Sequence, residues 1–249
     1  FEEDCDPQWP GLLGPIRASM EAETNLFIER TIFDGAKSLS ALLTDNHGYM
    51  SDATALIYGD GVVELGGPTV SHDYATVVLS QGSTDSLTLY PVEFPPTERA
   101  GLLTLPSVLA IGSYAVHPAP ILRGKRLLER MACQTFGAPP PGAEASIPAD
   151  TREAEGTNRQ RTQRATSAPV CASCHDSLNP PGFAFEHYDA FGRWRQEDNG
   201  FAVDASGSFN LNNGETFTFT DGVDLAYQLA QSSQVKDCYT KRWASYAVG

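Results

Sequence analysis

The sequence predicts a mainly α-helical chain with a small β-hairpin element and long loops rich in Pro and Gly. Capped or apolar-periodic stretches indicate helices at residues 19–32, 38–43, 51–58, 101–111, 120–133, 150–166 and 223–246. Two stretches rich in Val, Thr, Leu and Tyr, at 73–80 and 86–94, flank the turn 81–85 and predict the hairpin. The Gly-Ala-Pro-rich segment 137–148 predicts a loop.

Local start and stop signals place the individual elements. Ser19 is a candidate N-cap for the first helix, and Ser51 for the third, which we expect to end at Gly59. Pro120 opens an amphipathic helix with Leu127 and Met131 on its apolar face. We expect two regions packed as one unit, a helical region with the hairpin over 1–96 and a second region over 97–249.

The segment after position 175 is dominated by turn signals. Asn179-Pro180-Pro181-Gly182 predicts a tight turn, because consecutive prolines and a glycine interrupt a helix. Residues 201–222 predict short extended pieces separated by two Gly/Asn-rich turns.

Charge and hydropathy exclude several classes of function. The 249 residues carry a formal net charge of −14, which argues against nucleic acid or anionic lipid as a partner. The longest apolar runs are too short to predict a membrane span. With 41% hydrophobic residues the chain can still bury a substantial core.

Residues 171–175 read Cys-Ala-Ser-Cys-His, the attachment motif of a c-type haem. Two thiols three residues apart match the two vinyl groups of the porphyrin, and the following His places an imidazole at the iron. A zinc knuckle needs a second Cys or His pair nearby, and none follows. A thioredoxin-like pair needs a βαβ context, which the surrounding sequence lacks. We therefore expect a c-type haem domain holding one haem c through Cys171 and Cys174.

His175 is the expected axial ligand, and its second ring nitrogen should donate to a carbonyl. Pro180, in the predicted turn, is the expected source of that carbonyl. The sixth ligand stays open among His117, Met131 and Met50, and an open position is a further alternative.

Aromatic residues are concentrated just after the motif. We expect Phe183, Phe185, Tyr188 and Trp194 to line the haem crevice. The arginines on either side of Trp194, Arg193 and Arg195, could hold a haem propionate through bidentate contacts or could pack beside the aromatic strip.

Three further cysteines suit an oxidising compartment, where one disulfide is expected. Cys133 ends one predicted helix and Cys238 lies in another, so these two are the favoured pair. Cys5 would then be unpaired or bonded outside this sequence, and buried reduced thiols are the alternative.

Several segments together resemble one family of large exported proteins from planctomycetes and myxobacteria, the DUF1592/DUF1588/DUF1585 proteins with planctomycete-type cytochrome c domains. The resemblance rests on five segments, residues 99–104, 120–125, 139–141, 171–195 and 203–207. Residues 20–59 resemble the first block, 97–195 the second and 203–249 the third.

The resemblance implies a haem-bearing protein of the cell envelope, often with further modules on the same polypeptide. Two positions depart from the family pattern. Many relatives carry His where this chain has Ala165, and Thr-Ser where it has Pro118-Ala119. If either region shapes the distal side of the haem, the sixth ligand differs here.

Together these features predict one-electron transfer by a single covalent haem, with a redox protein as partner and no catalytic residue assigned. Because this attachment chemistry takes place outside the cytoplasm, we expect a periplasmic or cell-surface location. The signal sequence would have been removed, or this chain would be one piece of a larger parent protein. A haem enzyme of peroxidase or oxidase type, with an open distal site, is the first alternative. A haem-stabilised structural module of an envelope assembly is the second.

Overall fold

The computed structural model describes residues 13–34, 37–66, 69–73, 86–138 and 155–248. The longer helices are α1 (Leu13–Glu29), α2 (Leu39–Thr44), α3 (Asp52–Tyr58), α4 (Pro106–Ile111), α5 (Pro120–Met131), α6 (Asn158–Ala165), α7 (Pro169–Phe183), α8 (Gly222–Gln231) and α9 (Ser233–Val248). A π-helical turn, Arg30–Asp34, continues α1, and a 3-10 turn, Leu102–Thr104, precedes α4. The mainly α class is confirmed.

The strands are short and antiparallel. They are β1 (His47–Met50), β2 (Val63–Glu64), β3 (Val70–Asp73), β4 (Ser86–Glu93), β5 (Glu197–Asp198), β6 (Phe201–Ala202), β7 (Gly207–Asn210) and β8 (Thr216–Phe219). β4 is the centre of the largest sheet, where it pairs with β1, β2 and β3. The β5–β6 and β7–β8 pairs each form a separate two-stranded sheet.

Several local predictions are confirmed because side chains supply the helix caps. The Ser38 hydroxyl accepts the Ala41 N–H at the start of α2. Ser51 and Thr54 form a capping box at the start of α3, which ends at Gly59 as expected. β4 confirms the strand predicted over 86–94, and its antiparallel partner β3 lies at Val70–Asp73, before most of the strand predicted over 73–80. Residues 74–85, which include the predicted turn, lie outside the described residues.

Three predicted elements were wrong in detail. The first helix begins at Leu13, and Ser19 is buried inside it, where its hydroxyl accepts from Ser51 at 2.7 Å. The single C-terminal helix is two, because Ser232 is extended and its hydroxyl accepts the Val235 N–H at the start of α9. The buried helix expected over 101–111 is divided into the 3-10 turn and α4, with Pro106 at the first position of α4.

The main apolar core lies between α5, α7, α8 and the β7–β8 pair. Its most deeply buried members include Leu128, Tyr188, Leu225 and Leu229. A second cluster joins α1, α2, α3 and β4 to the segment before α4. Residues from both sides of position 96 share these clusters, while the domain boundary itself stays a prediction.

Cys133 and Cys238 form a disulfide that ties the end of α5 to α9, as predicted. Their separation of 105 residues means that the bond closes a long loop of the unfolded chain. Cys5, residues 139–148 of the loop expected over 137–148, and residues 150–154 of the helix expected over 150–166 lie outside the described residues. Residues 155–157 are not helical, so α6 begins at Asn158, later than predicted. No helix within the described ranges is long and apolar enough to cross a membrane.

Candidate functional site on helix α7

The Cys-Ala-Ser-Cys-His motif occupies the first half of α7, where Pro169 stands in the first turn. Positions i, i+3 and i+4 of an α-helix lie on one face, so Cys171, Cys174 and His175 point to the same side. Cys174 is exposed, and Cys171 and His175 are half-buried. Both thiols are free cysteines. The motif therefore presents two unbonded thiols and one imidazole on a solvent-accessible helix face.

The His175 ring is held by a side chain one helical turn further along. Its Nδ1 lies 3.0 Å from Oδ1 of Asn179. The Asn179 Nδ2 donates to the Thr166 hydroxyl at 2.9 Å, and that hydroxyl donates to the Thr162 carbonyl at 2.9 Å. The network thus links α7 back to the end of α6.

The tight turn predicted at residues 179–182 was wrong, because α7 continues through both Pro180 and Pro181. A proline inside a helix removes one backbone hydrogen bond and costs roughly 3 kcal/mol. Tertiary packing offsets that cost, since the α5 and α7 backbones touch at two glycines. A Cβ on Gly124 would lie 2.0 Å from the Leu178 carbonyl oxygen, and one on Gly182 would lie 1.9 Å from that of Pro120.

The helical path also changes the partner predicted for His175. Within α7 the Pro180 carbonyl accepts the Ala184 N–H at 3.4 Å. The role expected of Pro180 is therefore taken by the side chain of Asn179. The sequence analysis did not predict the contact between His175 and Asn179, because it placed Asn179 in a turn. Side chains four residues apart face each other only when the helix continues, as it does here.

Of the predicted crevice aromatics, three are buried and the fourth, Trp194, is half-buried against the main core. Phe183, Phe185 and Tyr188 are 3%, 3% and 0% exposed, and the last two belong to the main core. The Arg159 guanidinium lies 4.9 Å from the Phe183 ring centroid. Trp194 stacks on His187 at a centroid distance of 4.4 Å and meets the Tyr188 ring edge-on. Tyr188 thus connects the main core to the stacked pair of Trp194 and His187.

The two arginines flanking Trp194 contact acidic residues of the same segment. Arg193 Nε lies 2.6 Å from Asp189 Oδ2. Arg195 Nη1 lies 2.5 Å from Asp198 Oδ1, and its Nη2 lies 3.7 Å from Glu186 Oε2. Both arginines therefore form ion pairs that hold the segment after α7 in place. Whether they also hold a haem propionate or pack beside the aromatic strip stays a prediction.

A buried arginine anchors the same segment from α5. The Arg123 Nη1 donates to the Phe185 and Tyr188 carbonyls at 2.9 and 3.0 Å, and Nη2 donates to the Asp189 carbonyl at 2.8 Å. Burial lowers the pKa of Arg123 to about 10, which leaves it charged at neutral pH. Burial raises the pKa of Glu186, which Asn158 and Arg195 contact. Fixed backbone carbonyls and ion pairs therefore make this segment a rigid support for α7.

Residues 99–198, which contain α7 and this support, match the family model described as PSCyt3, Protein of unknown function (DUF1588). We refer to these residues, which are similar to that family, as the DUF1588 segment. No curated protein and no solved structure matches the chain.

Arg99, the first residue of the DUF1588 segment, is a second buried arginine. Its guanidinium lies between the rings of Tyr58 and Tyr188, 5.2 and 5.0 Å from their centroids. It donates to the Thr104 and Gly192 carbonyls at 2.7 and 2.6 Å. The DUF1588 segment is thereby joined to α3, which precedes it in the chain.

The candidate sixth ligands lie on three different elements. Met131, within the DUF1588 segment, ends α5 and packs on the main core, and Met50 ends β1 and packs on the second cluster. His117 lies in the turn between α4 and α5, with its ring 4.9 Å from that of Tyr114. Core packing already occupies both methionine side chains. The identity of the sixth ligand stays a prediction.

The chemistry of the donor set fits a covalently held haem. Two free thiols three residues apart, followed at once by an imidazole, are the groups that thioether attachment and axial ligation require. In the described part of the chain no three or more His, Cys, Asp and Glu side chains cluster to hold a bare metal ion. Cys171, Cys174 and His175 would therefore hold the haem, with Nε2 of His175 toward the iron.

Proposed function

We propose that this chain carries one haem c bound covalently on α7 and transfers single electrons to or from a redox protein. One observation carries the proposal: Cys171, Cys174 and His175 share a solvent-accessible face of α7, with both thiols unbonded. The DUF1588 description, PSCyt3, is compatible with a cytochrome and leaves the activity open.

Each residue of the motif has a distinct task in this proposal. Cys171 and Cys174 anchor the haem through thioether bonds, and His175 donates its Nε2 lone pair. The haem supplies one-electron redox chemistry when bound. Covalent attachment keeps the haem bound in both oxidation states, and the contact between His175 Nδ1 and Asn179 holds the imidazole.

Exposure around the motif favours exchange with another protein. Val170, next to the first thiol, is 68% exposed, and Cys174 is exposed as well. A haem bound here would have an edge near the surface, where a partner can approach within electron-transfer distance.

We further propose that the protein is exported, to the periplasm or the cell surface. The Cys133–Cys238 disulfide supports an oxidising compartment, which is where such bonds persist. Thioether attachment to a Cys-x-x-Cys-His motif takes place in the same kind of compartment. Fractionation of the native host, followed by immunodetection, tests this part directly.

The main experiment is export of the chain in a host that carries a c-type haem maturation system. We expect a pyridine haemochrome spectrum of c type and an intact mass increased by one haem. The Cys171→Ser/Cys174→Ser variant should lose both signals. Ser173→Ala, which changes the exposed residue between the two cysteines, should keep both.

A purified parent chain without covalent haem, obtained while a known cytochrome c matures in the same cells, would overturn the proposal. The optical spectrum with carbon monoxide then distinguishes electron transfer from catalysis. A low-spin spectrum unchanged by carbon monoxide supports electron transfer. A spectrum that shifts with carbon monoxide indicates an accessible iron and contradicts a simple electron carrier.

A further inference from the structure

We propose that Asn179 is the positioning residue of the iron ligand: it holds His175 with Nδ1 protonated, so that the lone pair is on Nε2. The inference rests on the proposed function for its meaning, but the hydrogen bond can be tested without haem. Its starting point is the 3.0 Å contact between His175 Nδ1 and Asn179 Oδ1, one turn apart on α7.

The direction of this hydrogen bond follows from the rest of the network. The Thr166 hydroxyl has one proton, which it donates to the Thr162 carbonyl. It must then accept from Asn179, and the group 2.9 Å away is Nδ2. The amide oxygen of Asn179 therefore faces His175. Because an amide oxygen cannot donate, the imidazole must donate through Nδ1.

Asn179 is well suited to fix one tautomer. Its side chain is 6% exposed, so water competes poorly for its amide, while the motif beside it is open to solvent. Asn179 lies next to Pro180 and Pro181 in the half of α7 that packs on α5. The packed half of the helix therefore determines the orientation of a ring that belongs to the exposed half.

The hydrogen bond also affects the electronic properties of the ligand. An acceptor at Nδ1–H increases the electron donation of the imidazole through Nε2. Greater donation stabilises the ferric state and lowers the reduction potential. A side-chain acceptor can be replaced by mutation, whereas a backbone carbonyl cannot. Substitutions of Asn179 can therefore test whether the reduction potential changes in the expected direction.

The test compares two substitutions of similar size at one position. Asn179→Leu removes the acceptor, and we expect a higher reduction potential of the bound haem. Asn179→Asp restores an acceptor with negative charge, and we expect a potential below that of the parent. Thr166→Val, which removes the anchor of the amide, should shift the potential upward by less than Asn179→Leu.

Ser177→Ala is the matched control, an exposed residue two positions before Asn179 on the same helix. We expect the parent potential in this variant. A residue with a merely structural role would give shifts of the same sign for Leu and Asp. Equal shifts, or no shift in either variant, would overturn the assignment.

The haem-free chain provides an independent readout. Imidazole nitrogen shifts measured by NMR at about pH 8, where an ordinary His is neutral, report the tautomer of His175. We expect Nδ1–H in the parent and a return toward Nε2–H in Asn179→Leu. Nε2–H in the parent would refute the inference. If the tautomer is Nδ1–H and the chain still takes up no haem, the proposed function alone fails.

Discussion

The first half of α7, residues 169–177, faces solvent, whereas its second half, residues 178–183, is mostly buried against α5 and the main core. The exposed half holds every group that the proposed chemistry needs. The buried half holds the two prolines, the glycine contact with α5 and the amide that orients His175. The groups proposed to bind haem thus lie in the exposed half of α7, and Asn179 in the buried half contacts His175. Substitutions near the buried half should therefore lower the free energy of unfolding of the haem-free chain more than substitutions in the exposed half.

The largest expected loss comes from the arginine that supports the segment after the buried half. Arg123→Met removes the guanidinium that donates to the buried carbonyls of Phe185, Tyr188 and Asp189, and it also removes a positive charge that stabilises the buried Glu186 carboxylate. We expect the free energy of unfolding to fall by roughly 3–5 kcal/mol, as when one member of a buried charged network is removed. Urea titration followed by circular dichroism measures it.

Lys125→Met, a partly exposed position on the same helix, is the control for Arg123→Met and should lose less than about 1 kcal/mol. A loss for Arg123→Met no larger than that of the control would contradict the support role.

A smaller but clear loss is expected where the two backbones touch. In Gly182→Ala the new methyl group would lie 1.9 Å from the Pro120 carbonyl oxygen, so α5 and α7 must move apart. We expect a cost of about 1–3 kcal/mol, typical of overpacking. Gly137→Ala, where the methyl group meets nothing within 4 Å, should leave thermal and urea midpoints unchanged. Equal midpoints for both variants would mean that the glycine contact does not hold α7 together.

The buried carboxyl of Glu23, in α1, should make the stability of the protein depend on pH. Glu23 accepts from the Tyr58 hydroxyl at 2.9 Å and the Ser51 N–H at 3.2 Å, and burial raises its pKa from 4.5 to about 8. Between these values the folded chain keeps a proton that the unfolded chain releases. Stability should therefore fall as pH rises through this window, by at most about 1.4 kcal/mol for each pH unit.

Glu23→Gln should flatten that pH dependence, because the amide keeps the hydrogen-bonding groups and removes the titration. Unfolding measured in urea at several pH values between about 5 and 8 gives the slope. Glu21→Gln, at an exposed neighbouring position, should keep the slope of the parent. An undiminished slope in Glu23→Gln would exclude this carboxyl as the cause.

The smallest effect is expected on the exposed half of α7. Cys171→Ser/Cys174→Ser should change the stability of the haem-free chain by no more than about 0.5 kcal/mol, as for most surface substitutions. The same variant should abolish covalent haem, so one pair of substitutions separates function from fold. A haem-free chain that loses more than about 2 kcal/mol would show that the thiols also serve the packing.

Local signals predicted those elements whose ends are set by nearby side chains. Ser38 and Ser51 cap α2 and α3, and Pro120 starts α5. Cys133 follows the end of α5 and bonds to Cys238 in α9. The same kind of reasoning failed at residues 179–182. Prolines are strong local helix breakers, but the contact between Gly124 and the α7 backbone compensates for them. That contact joins residues too far apart in sequence for a local pattern to reveal.

By itself the sequence determined the motif at 171–175, the mainly α class and the favoured disulfide, because each depends on residue type and short-range spacing. Only the tertiary structure decided that α7 continues through Pro180 and Pro181, that Asn179 rather than Pro180 contacts His175, and that Phe185 and Tyr188 are buried in the core. These outcomes depend on which surfaces exclude water and which backbones touch. Such contacts join residues far apart in the chain, so no short stretch of sequence specifies them.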